Sequence, residues 1–261
     1  MIVVPPELRR VPLSLDTLLH LVRGQGADPH PVLVNTPVWR DPDASSAEDR
    51  RAVDELRRAG LHDGRRLDPD FADVVDALVR PRRELYGWLT SVEDGAVRRR
   101  GLLAVSAHQV GVVLVRLDTD HTVMAVVPPS RVAAAFAGEL PDVPAAPGRE
   151  IVTSYRAYSA TLNDGDGFDG FGAADDPATR EMADLLRGPR LGSGELYAAV
   201  RDGNGTRRRI ERPVVYLDTT EGRRVAERRT SGTDDTAALV PADAAAVTER
   251  LTRWLDATAT R

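Results

Sequence analysis

Residues 184–200 read DLLRGPRLGSGELYAAV, residues 207–219 read RRRIERPVVYLDT, and residues 222–230 read GRRVAERRT. The Gly188-Pro189 pair ends a helical pattern, because glycine suits a helix terminus and proline cannot continue one. Three strand-like runs follow, separated by Asp/Gly/Thr turns, and the most apolar is Pro213–Leu217. What makes this stretch decisive is an echo about 110 residues earlier, where residues 77–89, ALVRPRRELYGWL, also lead from a helical run into strands. Four features align in order: Leu78–Pro81 with Leu186–Pro189, Glu84-Leu85-Tyr86 with Glu195-Leu196-Tyr197, Arg98–Arg100 with Arg207–Arg209, and Val127-Pro128 with Val240-Pro241. The spacing predicts a duplicated unit of helix, antiparallel strands and helix. The expected organisation is a single domain over 1–261, with one quasi-repeat over 46–148 and a second over 149–261, joined by the Pro/Ala-rich link Pro141–Gly148. Strands come in runs and do not alternate with helices, so the fold class is α+β: a central, mostly antiparallel sheet with flanking helical bundles and quasi-two-fold repeats.

Outward from that stretch, helix signals recur. Ser14 is a natural N-cap for a helix with Leu15, Leu18, Leu19 and Val22 on one face. Ser45 or Ser46 starts a second helix, closed by Gly60. Asp68 and Pro69 start a third, whose Phe71, Val74, Val75, Leu78 and Val79 follow the helical period and which Pro81 stops. Pro31–Val34 reads as extended. Strands are expected at Leu85–Thr90, Arg100–Ser106, Val110–Leu117 and Thr122–Val127, with short turns that favour a meander. Val132, Phe136 and Leu140 mark a helix. Ile151–Leu162 reads as extended and Tyr-rich, Asp176-Pro177 starts another helix, Ala237–Val240 is a short strand, and Pro241 opens the last helix with Val247, Leu251, Trp254 and Leu255 on one stripe.

Composition narrows the function. The 261-residue chain has no cysteine, which excludes disulfides, thiolate metal sites and cysteine nucleophiles. Its net charge of −5 argues against a general nucleic-acid binder. All 35 basic residues are arginine, a bias that fits GC-rich coding of the actinobacterial type. The N-terminal MIVVPPELRR lacks the basic start and long apolar stretch of a secretory signal, and no run reaches the roughly 20 apolar residues of a membrane span. A cytoplasmic protein is the expectation.

The chemistry-bearing patterns are weak. Gly165–Gly170 spells G-x-G-x-x-G, but Asp164, Asp166 and Asp169 would repel phosphates and the next helix begins only near Asp176. As a calcium loop counted from Asp164, the positions needing Gly and Glu hold Asp169 and Asp175. The histidines, His20, His30, His62, His108 and His121, form no H-x-x-x-H. Ser106, His108 and Asp118 could be drawn as a small hydrolase-like site, the alternative from the enzyme class, although both segments read as hairpin turns and no nucleophile elbow is present. Neither cofactor nor metal is expected. The triplets Arg98–Arg100 and Arg207–Arg209 suit solvated strand ends, a protein contact or, least well, phosphate. Trp88, Tyr197 and Tyr216 lie on strands, and Arg223, Val225, Glu227 and Arg229 alternate with Arg224, Ala226 and Arg228. A strand charged on both faces is not expected in a core, so one face should be wet or meet a partner, as arginine and aromatic enrichment at interfaces suggests.

Taken in order, residues 13–21 (LSLDTLLHL), 55–88 (ELRRAGLHDGRRLDPDFADVVDALVRPRRELYGW), 126–136 (VVPPSRVAAAF), 185–202 (LLRGPRLGSGELYAAVRD), 214–229 (VVYLDTTEGRRVAERR) and 240–251 (VPADAAAVTERL) resemble the EspG family of type VII (ESX) secretion-associated chaperones. The resemblance implies a cytosolic, non-enzymatic chaperone. Its client would be the hydrophobic tip of a PPE protein in a PE–PPE heterodimer, or another ESX-secreted helical protein, delivered to its secretion system. It implies a quasi-symmetric sheet flanked by helical bundles, acting as a monomer or weak homodimer. Partner binding in the family uses the sheet and the C-terminal bundle, which points here to Tyr197, Val200, Arg201, Val215, Tyr216, Asp218, Arg223, Val225, Glu227 and Arg229.

Overall fold

The computed structural model describes residues 10–34, 45–117, 120–163, 176–211, 213–231 and 234–259. The glycine-rich loop 165–170, the calcium-loop positions 164–175 and Asp118 lie outside the described residues. Among the described residues, eleven strands form one sheet: β1 (Val11–Ser14), β2 (Arg83–Glu93), β3 (Ala96–Ala107), β4 (Val110–Arg116), β5 (His121–Val127), β6 (Ile151–Ser154), β7 (Gly192–Arg201), β8 (Arg207–Arg209), β9 (Val214–Thr219), β10 (Gly222–Ser231) and β11 (Asp234–Pro241). The helices are α1 (Leu15–Gly24), α2 (Ser45–Arg58), α3 (Pro69–Val79), α4 (Val132–Ala137), α5 (Tyr155–Asn163), α6 (Pro177–Arg187) and α7 (Ala244–Ala259).

The strand order is β1-β5-β4-β3-β2-β7-β9-β10-β11-β6, with β8 also on β7, and every strand pairing is antiparallel. The order reads alike from either edge. Each meander starts at the centre, runs outward, and ends beside a short strand that preceded it in the chain: β1 beside β5, β6 beside β11. Tyr86 and Tyr197, aligned by the sequence echo, stand opposite each other in the β2–β7 register. β1 and α1 fall outside the expected unit 46–148, yet they hold the place in the order that β6 and α5 hold in the second half.

Helix starts follow their caps. Ser14 accepts from the Thr17 N–H, Asp68 from Phe71, and Asp176 from Thr179, each beginning the helix predicted for it. Four expectations are corrected. Pro31–Leu33 is a 3-10 turn, because His30 Nδ1 caps the Val32 N–H. The extended run Ile151–Leu162 stops at Ser154, whose Oγ accepts from Ala157 and starts α5. Pro241 closes β11, and Asp243 caps α7 through Ala246. β2 and β3 run well past the expected strands as a long hairpin, turned by Asp94 (φ 51°) and Gly95 (φ 74°), the positive-φ pair that a tight Asp-Gly hairpin needs.

The pleat sends alternate residues to two faces. On the first, which we call the covered face, Leu85, Leu102, Ala104, Leu196, Ala198, Tyr216 and Val225 pack under α4 and α7 in one core that runs through both halves. On the other, the open face, α1–α3 cover β3–β5 around Phe71, Val74, Leu103 and Leu114. At the far end of the same face, α6 and its Met182 pack on Ile151 and Leu239. The centre of the open face lies between these two helical ends.

Candidate docking surface at the centre of the sheet

The GSG of residues 192–194, which invites reading as a ligand loop, is strand. A Cβ at Gly194 would sit 2.5 Å from the Tyr216 ring and 2.9 Å from the Trp88 carbonyl, so this glycine exists to let Tyr216 lie flat across β7. β10 is equally unlike its expectation. It is an interior strand between β9 and β11. Arg223 is 1% exposed: its Nε and Nη2 donate to both oxygens of Asp218 at 2.7 and 2.9 Å, Nη2 also reaches the Pro141 carbonyl at 2.6 Å, and the guanidinium lies over Tyr216. Arg224 donates to the Arg149 and Pro147 carbonyls. Arg228 pairs with Asp235 and lies 4.0 Å from the Tyr155 ring centroid. Glu227 pairs with Arg250 of α7, and Arg229 with Glu150. Charge on both faces of a buried strand is tolerated here because nearly every charge has a fixed counter-charge or carbonyl.

Of the ten residues expected to bind a partner, Val200, Tyr216, Asp218, Arg223 and Val225 are buried, and their side chains cannot meet a docked molecule. The period-two pleat explains the split. Tyr197, Arg201 and Val215 belong to the open face and are half-buried, whereas Val200, Tyr216 and Val225 belong to the covered core. Glu227 is held against α7 and Arg229 lies exposed at the end of β10.

The open centre is an aromatic floor. Tyr86 and Tyr197 stack with centroids 5.1 Å apart, and Trp88 stands edge-on to both at 6.0 Å. His30 meets Tyr86 edge-on at 4.6 Å. Arg207 and Arg209 lie over the Tyr86 and Tyr197 rings, and the Tyr197 hydroxyl donates to Glu195. Glu84, 1% exposed, fixes this arrangement from below through Arg207 at 2.7 Å, with Arg201 at 3.7 Å and His30 at 3.5 Å. Burial opposes ionisation of Glu84, but His30 and Arg207 outweigh it and hold the carboxyl below the usual glutamate range. Burial and the bond to Glu195 raise the Tyr197 phenol. The arginine triplets are thus part of the fold: Arg207 serves Glu84, Arg209 covers Tyr197, and Arg100 grips both oxygens of Glu93 at 2.7 Å.

Trp88 is 43% exposed, and the apolar surface continues from it along the β2–β3 hairpin through Val92 and Val97, which face each other in register, to the adjoining Leu191. Val92, Val97 and Leu191 were not among the expected site residues. For Val92 and Val97 the signal was the Asp94-Gly95 dipeptide, which marks a hairpin turn and so extends both strands to it, where the pleat puts Trp88, Thr90 and Val92 on one face. An exposed aromatic on a rigid strand, with apolar neighbours and an arginine rim, is suited to bury an apolar protein surface.

Ser106 is buried in β3, His108 occupies the exposed β3–β4 turn at φ 49°, and Asp118 is not among the described residues. Among the described residues, no group of three or more His, Asp or Glu is placed to hold a metal, and no helix is long and apolar enough to cross a membrane.

The model of the EspG family matches residues 14–253. No curated protein matches the sequence. Among solved structures, the Mycobacterium tuberculosis type VII secretion system chaperone EspG5, in complex with the PE25-PPE41 dimer, is similar at a TM-score of 0.68, with 14% identity and 96% of each chain covered.

Proposed function

The chain belongs to the EspG family, and from that premise we propose that it is a cytoplasmic, non-catalytic chaperone of a type VII (ESX) secretion system. Its client is the apolar tip of a PPE protein in a PE–PPE heterodimer, or a helical secreted protein of similar character, which it shields and delivers to the secretion machinery. The observation that carries this reading is Trp88, 43% exposed beside the stacked pair of buried Tyr86 and half-buried Tyr197 near the centre of the sheet. EspG5, which shares the fold, is bound to a PE25-PPE41 dimer. The docking surface we assign contains Tyr197, Arg201 and Val215 from the expected set, joined by Trp88, Val92, Val97 and Leu191. Val200, Tyr216, Asp218, Arg223 and Val225 support it from within. The chain acts as two units about the β2–β7 pair, as a monomer or weak homodimer.

Co-expression with PE–PPE pairs from the same genome, followed by size-exclusion chromatography, tests the reading. One pair should co-elute with the chain, and Trp88→Ala should weaken that complex by about 2 kcal/mol or more, roughly 30-fold in Kd. Recovery of no PE, PPE or other ESX-type helical protein, here and in pull-downs from the host, would overturn the client assignment.

A further inference from the structure

Arg116 ends β4 and stands in a cross-strand row with Gly101 and Trp88 on the open face. It is only 8% exposed. Its Nη1 donates to the Val32 carbonyl at 3.1 Å, a neutral acceptor, and its Nε has no hydrogen-bond partner. Burial holds the guanidinium below its ordinary pKa, and the charge of Asp120 is too weak to offset it. Among the described residues, the other arginines buried to this degree in the sheet are answered differently: Arg223 has both oxygens of Asp218, and Arg224 has two carbonyls. A buried cation with one neutral partner is costly, and that cost falls when an anion binds.

Beside Arg116 lies a cavity of about 340 Å³, lined also by Arg99, Arg100, Thr90 and Trp88. Arg100 is paired with Glu93, and the exposed Glu195 stands opposite Trp88 in the β2–β7 register. The cavity sets the Arg116 guanidinium beside an aromatic wall, and that wall is the same Trp88 that lies on the docking surface.

We propose that Arg116 anchors an anion site whose occupant is a carboxylate side chain of the docked protein. The inference rests on the docking reading above. It assigns the client a feature beyond an apolar tip: an Asp or Glu placed within one side chain's reach of the segment that covers Trp88. A carboxylate fits because the planar guanidinium can offer it two parallel N–H donors, with Trp88 excluding water from one side.

Two measurements test this. In the first, the ¹⁵N-labelled wild-type chain is titrated with sodium acetate against sodium chloride at matched ionic strength, reading the Arg116 Nε–H resonance, assigned by its loss in Arg116→Lys. A saturable shift with a midpoint below about 20 mM that chloride does not produce supports the site. No shift, or the same drift in both salts to about 100 mM, overturns it. In the second, calorimetry compares Arg116→Gln, Arg116→Lys and Trp88→Ala for binding the client recovered with the wild-type chain. Arg116→Gln should weaken binding on the order of 30-fold, and Arg116→Lys, which keeps the charge, should weaken it less. If Arg116→Gln binds like the wild type while Trp88→Ala does not, the carboxylate inference falls and the docking reading stands. If Trp88→Ala also binds like the wild type, the docking reading falls and, with it, the client as the source of the carboxylate.

Discussion

The two faces of the sheet use the same residue types for opposite ends. On the covered face, Tyr216 is sealed under α4 and α7 and Arg223 is held by the link at Pro141–Ala146, with Asp218 completing a fully buried ion pair. On the open face, Tyr86, Tyr197 and Arg207 make a similar ring–guanidinium arrangement over Glu84, but here the layer ends at Trp88 and solvent. Tyrosine and arginine on a strand therefore do not announce an interface. What separates a core from a docking floor is whether a helix crosses that stretch of sheet, and the helices are placed by the distant elements β1, β6 and the strand–helix links.

The sharpest way to break this comparison is Asp218→Ala. It strands the Arg223 guanidinium inside the covered face and should cost about 3–5 kcal/mol in denaturant unfolding. A variant as stable as the wild type would mean that this face is not the closed core described. Next is Glu84→Gln, which should cost about 2–3 kcal/mol at neutral pH by weakening the hold on Arg207. Because the folded carboxyl lies below its ordinary pKa, its contribution is complete above about pH 4.3 and is lost as pH falls through the folded value. The gap between wild type and Glu84→Gln should therefore close in urea titrations carried progressively below that pH; a gap that widened on acidification would reverse the assignment. The smallest effect belongs to Arg229→Ala, within about 0.5 kcal/mol, since its pairs with Glu150 and Glu227 are solvent-exposed. Arg223 and Arg229 lie on one strand six residues apart, so a thermal-shift comparison of Arg223→Ala with Arg229→Ala sets a buried ion-pair network against an exposed one.

Much of the architecture was legible locally. α3 and α6 declare themselves through Asp68-Pro69 and Asp176-Pro177, and the two tyrosines at the centre of the sheet are found by the repeated Glu-Leu-Tyr. The candidate site was less so. Charge along Arg223–Arg229 signalled exposure, yet the acceptors that bury those arginines, the Pro141, Pro147 and Arg149 carbonyls, lie some 75 to 82 residues away in a link with no pattern of its own. Strand parity was readable, but which face α7 would cover was not, because α7 packs on β7 from a position after the last strand. Residues 155–162 read as extended because aromatic residues favour strands in general, while the single Ser154 cap decides for a helix.

The β2–β7 pairing also sets a kinetic order. Arg83–Ser91 waits for Gly192–Val200, so the middle of the sheet closes only after some 110 further residues have been made. At a synthesis rate of about 5–20 residues per second, the first meander spends roughly 5–20 s with β2's backbone edge unsatisfied and Tyr86 uncovered. For that interval the nascent half carries the kind of sticky, strand-templating border that invites mispairing, and the arrival of β7 both completes the sheet and removes the hazard.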